Sequence, residues 1–305
     1  MKREEERFDE AAGFLPLRLK RLALQRSAAE KRATEEFRLR AGQALTLLAQ
    51  GREWPLDGDG ESIVRQEDLE TVCNLVTGFS RYAAIETLRR GYLTAEGGFR
   101  VGLCGFAVVK GGEVSLLRDF SSLTIRIARE RPGLAADLCR ELWREGQPLS
   151  TLVVAPPGLG KTTLLRDLVR CFSLGTAERP PKRVGLVDER GELAACFRGV
   201  PQLDVGPHTD VLDACPKAEG MELLLRAMNP ELIAVDEITA EEDLQAMAHA
   251  ANSGVALLAT IHAADTEELL TKPLFRTLRR MGVFQRAIVI SRRDGERQYR
   301  LEELT

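Results

Sequence analysis

The stretch Ala155-Pro156-Pro157-Gly158-Leu159-Gly160-Lys161-Thr162-Thr163 supplies the residue types that hold a phosphate chain. It follows the apolar Leu152-Val153-Val154 and precedes Leu164-Leu165-Arg166-Asp167-Leu168-Val169, a strand, a tight loop and a helix. Backbone N–H groups from Pro156-Pro157-Gly158-Leu159-Gly160 onward, and from the helix start at Lys161-Thr162-Thr163, would converge on phosphate oxygens, the two prolines adding shape but no N–H. Lys161 has the length to reach β- and γ-phosphates, and the Thr162 hydroxyl is suited to Mg²⁺. The usual pattern opens with glycine where this chain has Ala155, so the backbone there must avoid positive φ. A chance Gly-Lys-Thr in a surface turn is the bland alternative, and the flanking strand and helix weigh against it. The expectation is a bound nucleoside triphosphate.

Three further strand ends carry chemistry. Leu232-Ile233-Ala234-Val235 runs into Asp236-Glu237, where Asp236 would hold Mg²⁺ directly or through water and Glu237 would polarise the attacking water. Val184-Gly185-Leu186-Val187 leads into Asp188-Glu189-Arg190-Gly191-Glu192, where Glu189 would be a Mg²⁺-side acid or a second polarising base competing with Glu237, and Arg190 would pair with Glu189 or sense phosphate charge. An exposed Arg–carboxylate pair is the structural alternative there. Ala259-Thr260-Ile261-His262 ends another apolar run, placing Thr260 to read a γ-phosphate or position water and His262 to bond phosphate or couple nucleotide state to a loop. A lone histidine is more often structural, and His208 and His249 are weaker candidates. Arg126 and Arg129, near an inferred domain junction, are the leading candidates for a guanidinium offered to another subunit's nucleotide, ahead of Arg118.

The elements that must position these groups read as two domains. Residues 8–30 have helical character interrupted or begun at Pro16; Phe37-Arg38-Leu39-Arg40 and Ala44-Leu45-Thr46-Leu47-Leu48 read as short strands. Helices are expected from Glu67 to Thr77 and Tyr82 to Arg90, then Gly-punctuated strands turning at Gly97-Gly98 and Gly111-Gly112. After Pro132-Gly133, a helix from Ala135 to Glu145 precedes buried strands alternating with helices at Gly220–Met228, Glu241–Ala250 and Glu267–Arg280. That alternation is an α/β pattern with a parallel sheet, its ligand loops at the carboxyl ends of the strands. The division expected is a smaller α+β domain over residues 1–130 and a nucleotide-binding domain over 131–305.

The motifs together resemble the stage III sporulation protein AA family. The phosphate loop, Asp188-Glu189-Arg190-Gly191-Glu192, Val235-Asp236-Glu237-Ile238 and Thr260-Ile261-His262-Ala263-Ala264-Asp265 carry the resemblance. So do Gly97-Gly98-Phe99-Arg100-Val101-Gly102-Leu103-Cys104-Gly105 and Ser121-Ser122-Leu123-Thr124-Ile125-Arg126-Ile127-Ala128-Arg129-Glu130. That family is similar to the hexameric traffic ATPases of type II and type IV secretion. The resemblance implies a RecA-like P-loop core behind the N-terminal domain, ATP and Mg²⁺ as ligands, and a homo-oligomeric, hexameric ring. It also implies action in the mother cell, in the cytoplasm or at the forespore-facing membrane, on membrane channel proteins of the sporulation complex. By the same analogy Glu189 lies in an acidic box and His262 in a histidine box. The family's relatives commonly have Gly-Glu where this chain has Asp236-Glu237.

Composition narrows the alternatives. A net charge of −3 lends no support to a stable nucleic-acid partner. A nucleic-acid-stimulated motor or loader would instead reveal itself by salt-sensitive stimulation. A scaffold that binds ATP without hydrolysing it is the non-enzymatic alternative, and Asp236-Glu237 argues against it. The 6 cysteines show no CxxC spacing, which fits free thiols rather than a zinc site. No sustained apolar segment follows the charged N-terminus, so no integral membrane segment is expected.

Overall fold

A computed structural model describes residues 4–56, 60–78, 91–293 and 296–304. The chain divides into two compact units, Met1–Arg129 and Glu130–Thr305. In the first, helices α1 (Glu4–Ala12), α2 (Leu17–Leu24) and α3 (Ala28–Ala33) precede strands β1 (Glu36–Arg40), β2 (Thr46–Ala49) and β3 (Arg52–Pro55). Helix α4 (Gln66–Val76) and strands β4 (Tyr92–Ala95), β5 (Phe99–Lys110) and β6 (Glu113–Arg126) follow. The sheet order is β3-β2-β1-β6-β5-β4, with antiparallel neighbours throughout. Phe8, Leu19, Phe37, Leu69, Phe99 and Ile125 meet in its core.

The local chemistry explains the breaks. Pro16 stands at the N-cap of α2, where a missing N–H costs the helix nothing. Ser27 and Glu30 form a reciprocal capping box that starts α3. Both Gly-Gly turns fall where expected, Ala95 pairing with Phe99 and Lys110 with Glu113. The strands beyond them are longer than the sequence suggests. Glycines at 102 and 105 do not end β5, because Gly105 marks an irregularity between Cys104 and Phe106. A Cβ there would lie 2.6 Å from the Arg118 carbonyl oxygen. The predicted helix from Tyr82 to Arg90 lies outside the described residues.

The second unit opens with α5 (Ala136–Glu141), β7 (Trp143–Arg144), β8 (Gln147–Pro148), β9 (Thr151–Val154) and α6 (Lys161–Leu174). It continues through β10 (Val184–Asp188), β11 (Thr209–Asp213), α7 (Lys217–Ala227), β12 (Leu232–Val235), α8 (Glu241–Asn252) and β13 (Ala256–Ile261). Helices α9 (Thr266–Thr271) and α10 (Pro273–Arg280) and strands β14 (Arg286–Arg293) and β15 (Glu296–Glu303) complete it. Sheet order is β11-β10-β12-β13-β9-β14-β15, parallel except for the β14–β15 pair.

Alternate residues of the central strands enter different cores. Leu152, Val154, Ile233, Val235, Leu257 and Ala259 face a cluster completed by Met221, Leu244, Met247 and Phe275 from α7, α8 and α10. Val153, Leu232, Ala234 and Leu258 face the other, with Leu164, Leu168 and Phe172 from α6. A sheet buried on both faces explains why these strands read as unbroken apolar runs. Two helical expectations need correction. The helix expected to reach Glu145 stops at Glu141; Glu145 and Gly146, both at positive φ, turn Trp143-Arg144 back onto Gln147-Pro148. The expected Glu267–Arg280 helix divides at extended Lys272, as the residue before a proline tends to do. Among the described residues no helix is long and apolar enough to cross a membrane.

Candidate active site

The phosphate loop leaves β9 at the carboxyl end of the parallel sheet and enters α6 at Lys161. Gly158 and Gly160 lie at φ +78° and +93°, conformations that glycine adopts freely. Ala155 does not share that conformation, so alanine fits the loop's first position without backbone strain. Lys161 is buried, and its Nζ donates to the carbonyls of Ala155 (2.9 Å) and Pro156 (3.1 Å). The same Nζ lies 2.7 Å from His262 Nδ1. Burial pushes the Lys161 ammonium down, and the carboxylates of Asp236 and Glu237 oppose that shift.

Strand order assembles the rest. Because β13 lies between β9 and β12, its end at Thr260-Ile261-His262 separates the phosphate loop from Asp236-Glu237. Thr260 is fully buried, and its hydroxyl donates to Asp236 Oδ1 at 2.5 Å. The Thr260 hydroxyl oxygen in turn accepts from the Glu237 N–H at 2.8 Å. Thr162 donates to the other Asp236 oxygen at 2.7 Å. Hydroxyl and carboxylate oxygens are hard donors suited to Mg²⁺, so Thr162 and Asp236 fit that ion chemically.

Glu237 lies in the left-handed region at φ +52°, an unusual conformation for a residue with a side chain and one often stored at functional sites. Arg190 donates to its Oε2 at 2.7 Å, and His262 Nε2 stands 3.3 Å from its Oε1. An ammonium has donors only, so His262 Nδ1 accepts from Lys161 and the ring proton sits on Nε2, facing Glu237. Lys161, His262 and Glu237 thus form one chain of contacts.

The acidic loop after β10 is built on Asp188. Its buried carboxylate accepts from the backbone N–H groups of Glu192 (2.9 Å), Leu193 (3.0 Å) and Ala194 (2.8 Å). Of the two roles open to Arg190, pairing with Glu189 is not the one found: Arg190 donates to Glu237, while Glu189 accepts from Lys217 at 2.5 Å. Lys217, buried at the start of α7, was not distinguished by sequence reasoning. A lysine after Cys215-Pro216 carries no motif, and only the fold brings it to Glu189.

The two arginines near the junction belong to the first unit and differ in their engagement. Arg126 donates to Glu36 at 2.8 Å with its side chain 62% exposed. Arg129 donates to the carbonyls of Thr34 (2.6 Å) and Lys31 (3.2 Å), tying down the end of α3. His208 bonds to Ser173 and His249 to Glu222, neither of them part of the cluster around Lys161.

Residues 5–300 match the protein-family model described as sporulation stage III, protein AA. The chain belongs to the stage III sporulation protein AA family. Its relative of that name in Bacillus subtilis (strain 168) is 38% identical over 287 residues, covering 94% of this chain and 92% of the relative. Among solved structures, the Legionella pneumophila ATPase DotB aligns with a TM-score of 0.57 at 16% identity, over 88% of this chain and 76% of DotB. The pilus retraction motor PilT, solved with bound ADP, gives the same TM-score and identity over 88% and 79% of the two chains. At such identity the likeness is one of fold. This family member shares the RecA-like fold of these ATPases, its parallel-sheet core following an antiparallel N-terminal sheet in the chain.

Proposed function

We propose that the chain is a Mg²⁺-dependent ATPase, hydrolysing ATP to ADP and phosphate as a homo-oligomer. In this reading it powers or gates a channel complex between mother cell and forespore. The observation that carries it is the set of contacts across adjoining strand ends: Thr162 and Thr260 on Asp236, and Lys161 through His262 to Glu237. Phosphoryl transfer depends mostly on positioning and on stabilising charge, and this set supplies both.

Lys161 exchanges its two loop carbonyls and His262 for phosphate oxygens when the loop fills. Asp236 and Thr162 would hold the divalent ion, which would supply charge neutralisation for the phosphates. Glu237 takes the base role. It sits on the contact chain that begins at the phosphate-binding lysine, whereas Glu189 is paired with buried Lys217. Water activation requires Glu237 to exchange its Arg190 or His262 contact for water, so the cluster is a resting arrangement that nucleotide reorganises. In a ring, Arg126 of one copy is the stronger candidate to approach nucleotide on the next, since Arg129 already ties down α3. The sporulation role follows the relative's name, and the channel proteins are the partners it implies.

The test is phosphate release measured across protein concentrations with Mg²⁺, for the natural chain, Lys161→Ala and Glu237→Gln. Release that rises with oligomerisation and is lost in both variants supports the proposal. Retained release by Glu237→Gln moves the base to Glu189. Saturable, salt-sensitive stimulation by single-stranded DNA or RNA would identify a nucleic-acid motor. ATP binding without release, with or without the sporulation membrane proteins, would leave a scaffold.

A further inference from the structure

The C-terminal hairpin brings an arginine onto the phosphate loop. Strand β14 runs parallel to β9, so its last residues reach the end of the sheet from which the loop departs. Strand β15 returns antiparallel, and Arg297 lies near its start. A Cβ built on Gly160 would stand 3.2 Å from Arg297 Cζ, 3.2 Å from one terminal nitrogen and 3.5 Å from the other. The guanidinium therefore lies against the glycine that begins α6, beside the N–H groups expected to receive phosphate.

Its charge environment is an independent observation. The hairpin register sets Arg292 directly opposite Arg297. Opposed residues of an antiparallel pair project to one face, where like charges are unfavourable. Among the described residues no hydrogen bond or ion pair neutralises Arg297, unlike Arg300 of the same strand, which pairs with Glu302 at 2.6 Å. An anion between hairpin and loop would receive a planar fork of donors from Arg297.

We propose that Arg297 binds the polyphosphate chain of the nucleotide held by its own subunit, approaching it at Gly160. This rests on the nucleotide-binding reading above. It is distinct from any arginine supplied by a neighbouring copy, because Arg297 and the loop belong to one compact unit. The grip also gives Gly160 a second reason to lack a side chain, since a Cβ would push the guanidinium away from the loop.

Calorimetric titration with ATP, ADP and inorganic tripolyphosphate tests this on the natural chain, Arg297→Gln, Arg297→Lys, Arg300→Ala and Lys161→Ala. Loss of one charged donor fork predicts that Arg297→Gln weakens all three ligands by about tenfold or more, with partial recovery in Arg297→Lys. Arg300→Ala, on the other face of β15, should stay within about twofold of the natural chain. The ligand-free thermal midpoint of Arg297→Gln should be unchanged. Unchanged affinity in Arg297→Gln alongside lost binding in Lys161→Ala would overturn the proposal and leave nucleotide binding standing. Weakened ATP with unaffected tripolyphosphate would reassign Arg297 to base or ribose, also against the proposal, and so would a lowered ligand-free midpoint. Failure of the natural chain to bind any of the three would overturn the nucleotide reading itself.

Discussion

Thr260 joins the residues of the site most economically: one hydroxyl donates to Asp236 and accepts from the Glu237 backbone. Replacing it with isosteric valine leaves both half-buried groups without that partner, which should lower stability by about 1–3 kcal/mol. Thermal unfolding of Thr260→Val checks the magnitude, and a raised Mg²⁺ requirement for phosphate release would report the loosened Asp236. For the base, Glu237→Gln should reduce phosphate release by about 10²–10⁴-fold while ATP affinity changes little. Glu189→Gln should show a smaller loss, and the reverse ranking in single-turnover assays would exchange their roles. The residue types and most of their roles were legible because each motif is contiguous in the chain. The partner of each acid was not. Arg190 is adjacent to Glu189 in sequence but bonds to Glu237, and Lys217 reaches Glu189 only because α7 packs against β10.

That α7–β10 contact depends on Gly220, where a Cβ would come within 2.6 Å of the Val187 side chain. Val187 directly precedes Asp188, the anchor of the acidic loop. Gly220→Ala should therefore destabilise the second unit by about 1–3 kcal/mol, read from its thermal or urea unfolding, and disturb Glu189 as well. In the first unit, hydrogen bonding to Arg40 is the largest influence holding Glu53 well below the ordinary carboxylate value, at about 2, with Thr46 and Arg38 adding to it against the opposing effect of burial. A carboxylate whose folded value is depressed stabilises the fold above its unfolded value near 4.5, and that contribution is lost as pH falls toward about 2. Acid unfolding followed by circular dichroism should be steeper across that window for the natural chain than for Glu53→Gln. Amphipathic helices and buried strands were legible at this scale, whereas β11 and β15 were not. β15 is exposed and charged along most of its length, so it lacks the apolar rhythm that marks a strand. Its existence follows from pairing with β14.

At the scale of the whole molecule, separate cores predict separate responses to ligand. Phe8 and Phe37 belong to a cluster confined to the first unit, while the clusters around Val154 and Leu164 are confined to the second. Scanning calorimetry with Mg²⁺ and ATP should move the transition of the second unit upward, by about 2.7 kcal/mol of added stability at a ligand concentration a hundredfold above Kd. The first unit's transition should move only through coupling to the second, and an equal shift of both would show that they unfold as one. The sequence by itself determined the α/β class, the phosphate loop and the acids at the strand ends, because a strand, its loop and the following helix are covalent neighbours and carry local periodicity. Only the tertiary structure decided which strand ends adjoin. Placing β13 between β9 and β12 brings His262 to Lys161 across 101 residues and Asp236 to Thr162 across 74. Strand order is settled by how the buried faces pack, and no run of adjacent residues records it.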